Sequence, residues 1–217
     1  MNILILNTSE LTGGAAVAAN RLAKALGKSG VEVSMLVRDR KTGDERVTAL
    51  NDSFWASRWN FIRFVWERLI IFICNHFRRK PLFQVSIANT GTDLSDHPLV
   101  KAADVIHLHW INQGFLSLAD IRKLALIGKP IVWTMHDMWP CTAICHYSFG
   151  CERFKKECGK CPFLSSSDKK DLSYHVFNKK RFLADSKIQL VAVSTWLRQQ
   201  AQDSALTNRL PVEVIPN

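Results

Sequence analysis

The chain is short of acid and of long apolar runs. Its 217 residues hold 19 Asp and Glu against 29 Lys and Arg, a formal net charge of +10. That balance favours an anionic partner: nucleic acid, a phosphorylated substrate or an acidic membrane surface. A membrane-crossing helix needs roughly 20 apolar residues, and in the apolar segment Trp55 to Lys80 the longest uncharged run is only Leu69 to Phe77. The first residues, "MNILILNTSE", carry no basic n-region and no cleavage pattern. No secretory signal is therefore expected, and the expected compartment is the cytoplasm, where thiols stay reduced. There is no G-x-G-x-x-G fingerprint, no P-loop lysine, no internal repeat and no low-complexity tract. With 47% hydrophobic and 22% charged residues, what remains is a globular chain able to bury a core without staples.

"NILILN" (2–7) reads as a buried strand, "TSELTGG" as a turn-rich loop, and "AAVAANRLAKALGKSG" as a helix with Val17, Leu22, Ala25 and Leu26 near helical spacing. "VEVSMLV" (31–37) follows as a second strand, completing a βαβ unit. Further strands are expected at 104–110, 130–136, 188–193 and 212–217, and helices at 117–127, 170–185 and 195–204. Lys41 to Ser53 reads as a polar loop. Strands alternating with helices predict an α/β fold: a Rossmann-like parallel sheet with helices on both faces.

In Trp55 to Lys80, residues Trp55, Trp59, Ile62, Trp66, Leu69, Ile73 and Phe77 share one helical stripe. Phe61, Phe64, Val65 and Phe72 widen it, and Arg58, Arg63, Arg68, Arg78, Arg79 and Lys80 add charge. Two readings stand: a helix packed on the sheet, or an interfacial helix resting on anionic lipid.

Three features bear on chemistry. Gly13 and Gly14, after the first strand and opening the first helix, would let backbone N–H groups approach a phosphate, or would simply form a turn. "HLHWINQG" and "TMHDMWP" put polar residues at strand ends, where open α/β sheets bind ligands. His107 and His109 should face one side of the sheet; His136, beside Asp137 at a strand exit, is the candidate for hydrogen bonding or polarising a hydroxyl. The third is a cysteine cluster. Of six cysteines, Cys145, Cys151, Cys158 and Cys161 crowd one stretch in a C-x5-C-x6-C-x2-C pattern. Four thiolates suit tetrahedral structural zinc with no open position for catalysis; disulfides or free thiols are the alternatives.

"GGAAVAANRLAKAL", "ADVIHLHWINQGFLS", "GKPIVWTMHDMWP", "CHYSFGCERFKKECGKCP" and "VAVSTWL…VEVIPN", in that order over nearly the whole chain, resemble the N-terminal half of a retaining glycosyltransferase of family 4. The similarity is to the bacterial type that builds colanic acid and capsule, a class of cell-surface polysaccharide. The resemblance implies the GT-B architecture, with residues 1–217 as the acceptor-side Rossmann-like domain and a Cys-rich insertion over about 141–164. The donor domain would be absent, leaving this hexosyltransferase-type chain inactive alone. It further implies catalytic His136, and Gly13, Gly14, Asn112 and Asp137 as substrate-binding groups. A nucleotide-sugar donor, a lipid-linked or oligosaccharide acceptor and no catalytic metal complete the expectation. The location would be cytoplasmic, peripheral on the inner face of the cell membrane.

A zinc-containing nucleic-acid-binding module is the alternative, supported by charge and cysteines. Against it, the aromatics lie in apolar stripes and no nucleic-acid motif is present, so no nucleic acid is expected. A dinucleotide oxidoreductase rests only on Asp39 and lacks the third glycine.

Overall fold

The computed structural model describes residues 1–79, 82–166 and 168–216. Seven parallel strands form one sheet: β1 (Asn2–Ser9), β2 (Glu32–Asp39), β3 (Val47–Ala49), β4 (Val105–Leu108), β5 (Ile131–Met135), β6 (Ile188–Ala192) and β7 (Val212–Val214). Their order is β3-β2-β1-β4-β5-β6-β7. The helices are α1 (Gly14–Lys28), α2 (Phe54–Cys74), α3 (Pro98–Ala102), α4 (Leu118–Leu126), α5 (Leu172–Lys180) and α6 (Thr195–Asp203). The Rossmann-like α/β expectation holds.

β1 shows why both faces of the sheet are covered. Ile3 and Ile5 join a core with Ala19 and Ala23 of α1, while Leu4 and Leu6 point into the larger core. A central parallel strand buried on both faces reads as a continuous apolar run, as "NILILN" does. Small residues carry the α1 contact: Ala16, Ala19 and Ala23 are buried, whereas Ala25 is exposed and Leu22 only half-buried. The inner stripe is therefore alanine, offset from the larger side chains that marked the helix in sequence.

The chain runs outward from β1 to β3, then returns to place β4 on the other side of β1. This reversal opens a crevice at the carboxyl ends of β1 and β4, the topological switch point of a doubly wound sheet.

Two expectations change. Residues 41–53 contain the short edge strand β3, paired from Met35↔Val47 to Val37↔Ala49. More consequential is α2. Its helix ends at Cys74, and His76 and Phe77 have left-handed backbone (φ 50 and 61), so Phe77 lies beyond the helix. Its buried residues are Asn60, Glu67, Arg68 and Ile71, so the inward face is largely polar. Glu67 Oε1 accepts from the backbone N–H of Ile87 (2.7 Å) and Ala88 (2.9 Å). Arg68 donates to the carbonyls of Leu82 and Val85 and pairs with Glu67 Oε2 at 3.0 Å. The stripe Trp55, Trp59, Ile62, Trp66, Leu69 and Ile73 faces outward, with Trp55 79% exposed. The reading that packs this stripe on the sheet is thereby corrected. Lys80, and Asn217 at the end of the expected 212–217 strand, lie outside the described residues. No helix among the described residues is long and apolar enough to cross a membrane.

Candidate active site

A cleft of about 710 Å³ opens at the switch point, walled by the ends of β1, β2, β4 and β5. Each wall follows from local sequence. β1 delivers Asn7, Thr8 and Ser9. The loop then reaches Gly13, whose φ of +92° lies in the left-handed region that favours glycine. α1 starts at Gly14 with no side-chain cap and no acid in its first turn. Its leading N–H groups are thus free to meet an anion, favoured further by the helix dipole. A Cβ at either Gly13 or Gly14 would meet nothing within 4 Å, so both border open space. Arg38 and Lys41 line the β2 side of the same cleft together with Asp39, which pairs with Arg38 at 3.4 Å.

On the opposite wall His136 lines the cleft, backed by a stack of two further histidines. His109 Nδ1 and His136 Nε2 share a hydrogen bond of 2.9 Å, and His107 Nε2 bonds Thr134 Oγ1 at 2.8 Å. The His107 and His109 rings lie 4.5 Å apart, on one side as their alternation predicts. Burial, reinforced by neighbouring histidines, pushes His109 down to about 2, and burial with repulsion from His136 pushes His107 down to about 4. Burial also lowers His136, against the pull of Asp137. All three rings are therefore neutral near pH 7. A neutral His136 can donate at one nitrogen and accept at the other. Its Nε2 is engaged by His109, so Nδ1 is the nitrogen left for a ligand at the cleft wall.

Asp137 borders the cleft, but its oxygens are committed. Oδ1 accepts from the Trp139 N–H (2.8 Å), and Oδ2 from Trp110 Nε1 (3.2 Å) and His146 Nδ1 (2.6 Å). His146 Nε2 in turn reaches Ser86 Oγ at 3.0 Å. Asp137 thus ties the β4 and β5 loops to the segment after Cys145. Asn112 is buried behind the wall, where its carbonyl accepts from Thr8 Oγ1 (2.9 Å). Its neighbour Gln113, in left-handed backbone at φ 60, is the residue that reaches the cleft. Gln113 and Tyr147 were missed from sequence; the only hint for Gln113 was the polar "NQG" turn after a strand.

The four clustered cysteines do not touch this cleft. Cys145, Cys151, Cys158 and Cys161 all line a separate small cavity, while Cys141 is buried apart from it, its thiol donating to the Met138 carbonyl (3.0 Å). No disulfide forms among the six thiols. Among the described residues, no three His, Cys, Asp or Glu side chains are placed to hold a metal ion together.

Comparison with known proteins bears on this geometry. A family model described as Glycosyltransferase Family 4 matches residues 12–217. A stretch of 70 residues, 32% of the chain, is 34% identical to the putative colanic acid biosynthesis glycosyl transferase WcaC of Escherichia coli K12. That stretch spans 17% of the length of the relative.

Proposed function

The chain belongs to glycosyltransferase family 4, and on that footing we propose that it forms the acceptor-side half of a retaining hexosyltransferase that extends a cell-surface polysaccharide from a nucleotide-sugar. Retaining transfer breaks the bond between the anomeric carbon and the nucleoside diphosphate. A new bond joins that carbon to the acceptor oxygen, whose proton leaves with the diphosphate. The chain's own residues have separable tasks. The free amides at the start of α1, beside Gly13 and Gly14, face the charge that develops on the diphosphate, with Arg38 and Lys41 adding to the field. His136 hydrogen-bonds a hydroxyl of the sugar or acceptor near the reacting carbon. Asp137, Asn112 and His109 hold that wall in position. The observation that carries the reading is the uncapped start of α1 opposite His136 across one switch-point cleft.

The described residues build one Rossmann-like unit, so the groups that read the donor base and most of its phosphates would come from a second domain. The 217-residue chain alone is expected to fold and not to turn over. The test is transfer by the full-length enzyme from a panel of radiolabelled nucleotide-sugars to a lipid extract, with the product anomer read by NMR. Transfer with inverted configuration, or none from any donor, overturns the proposal.

The exposed stripe of α2 supports an acceptor held at an anionic membrane. The only acid of α2, Glu67, turns inward, while Arg58, Arg78 and Arg79 are exposed beside the aromatics. Aromatic rings with basic flanks suit the lipid interface. Full-length protein should sediment with anionic vesicles at low salt and less with neutral ones. Equal sedimentation with both contradicts a lipid partner.

A further inference from the structure

The four clustered cysteines have no task in sugar transfer, yet the fold brings them to one place. They are far apart in local structure: Cys145 sits at a β-bridge with Val85, Cys151 follows a turn, and Cys158 and Cys161 follow a short 3-10 segment at Arg153–Lys155. All four nevertheless line one cavity of about 20 Å³. That is space for one atom-sized occupant and too little for an organic ligand. Among the described residues no carboxylate or imidazole lines it; the rest of the wall is mostly apolar, with Ser148, Ser173 and Arg153 as its polar members. Its four cysteines are the donor set that a soft metal ion prefers.

A second observation is independent of the cysteines. Lys180 is fully buried. Its ammonium donates to the carbonyls of Trp139 (2.6 Å) and Thr142 (3.0 Å) and lies 3.2 Å from the centre of the Trp139 ring. No carboxylate of the described residues forms an ion pair with it. Burying a cation is costly unless negative charge lies near it, and the groups acting on Lys180 are the thiols of Cys141, Cys145 and Cys158 and the carboxylate of Asp137. The cysteine cluster is adjacent, since Thr142 Oγ1 donates to the Cys145 carbonyl at 2.6 Å.

We propose that Cys145, Cys151, Cys158 and Cys161 bind one Zn²⁺ as four thiolates, that the resulting double negative charge compensates Lys180, and that the ion braces the wall of the cleft. Binding releases four protons as four S–H bonds are replaced by four Zn–S bonds, with no change of oxidation state. The bracing follows from the chain between Cys145 and Cys151. It carries His146, which holds Asp137, and Tyr147, which lines the cleft. The four side chains are not within a common coordination distance among the described residues, so binding draws the loop from Cys145 to Cys161 in onto the ion. This inference stands whether or not the transferase reading does.

The experiment is metal and thiol analysis of the full-length protein, purified without chelator. One zinc per chain is expected, with the four thiols protected from alkylation until a chelator is added. Cobalt substitution should give the intense visible bands of a tetrahedral thiolate site, and Cys158→Ser should lose the metal. Lys180→Met should release zinc to a chelator at least several-fold faster, because the compensating charge is gone. Four thiols that alkylate freely in metal-free native protein overturn the proposal. So does a non-reduced digest that pairs these cysteines as disulfides.

Discussion

Replacing Glu67 with alanine tests how α2 is held. The substitution removes the acceptor for two buried backbone N–H groups, those of Ile87 and Ala88, and the 3.0 Å partner of Arg68. Each orphaned buried donor costs about 1–3 kcal/mol. An unpaired buried guanidinium costs about 3–5 kcal/mol, reduced here because Arg68 keeps the carbonyls of Leu82 and Val85. These losses share one site and do not add, so the expected net loss is about 4 kcal/mol. Glu67→Gln keeps an oxygen for both N–H groups and loses only the ion pair; about half that loss is expected. Trp59 and Ile62 are 58% and 52% exposed on the opposite face. Serine at either position should change stability by no more than about 0.5 kcal/mol. Had the stripe faced the sheet, each would instead cost about 2–5 kcal/mol. Equilibrium urea unfolding followed by far-UV circular dichroism, with m-values compared, gives all four numbers. A neutral Glu67→Ala together with a costly Trp59→Ser would refute the orientation of α2.

Three further outcomes are expected. A Cβ at Gly91 would lie 2.1 Å from the Ser117 backbone N and 2.5 Å from Asp120 Oδ2, inside the capping box of α4; Gly91→Ala should cost about 2 kcal/mol or more in the same unfolding assay. His107 and His109 bind protons less well folded than unfolded, so the unfolded state takes up more protons below about pH 6.5. Their contribution is present above that pH and is lost as pH falls toward 4; thermal melting between pH 4 and 7 should show the decline, and His107→Gln should flatten it. Gly13→Ala places a side chain at φ +92°, strained by about 1–3 kcal/mol, and should raise the KM for nucleotide-sugar in the full-length enzyme.

Much of the sheet was legible because its strands are buried on both faces and so stand out as apolar runs; "NILILN" could be little else. β3 was not, because three residues at an edge, with only Val47 buried, leave no pattern. α3 was missed for a similar reason: five residues after a His97 cap are too few to show a period. The stripe of α2 was seen, but a period reports that a helix has two faces and not which one meets the core. Here the buried face is polar and depends on partners such as the Ile87 amide, far away in sequence. In the site, the glycine loop and His136 were visible because strand ends announce themselves. Gln113 and Tyr147 carry no motif and reach the cleft only through loop geometry. Asp137 looked like a ligand group and is engaged as a hub, since besides the Trp139 amide of its own loop it holds Trp110 and His146, which carry no local signal.

The central claim is that sugar transfer takes place in the cleft between the start of α1 and His136. The most direct measurement is the rate of radiolabelled sugar transfer by full-length enzyme carrying His136→Ala, with folding checked by circular dichroism. A folded variant should lose roughly 10²-fold or more in kcat, the scale of a positioned acid–base or polarising group. A folded variant that transfers at the wild-type rate would contradict the account.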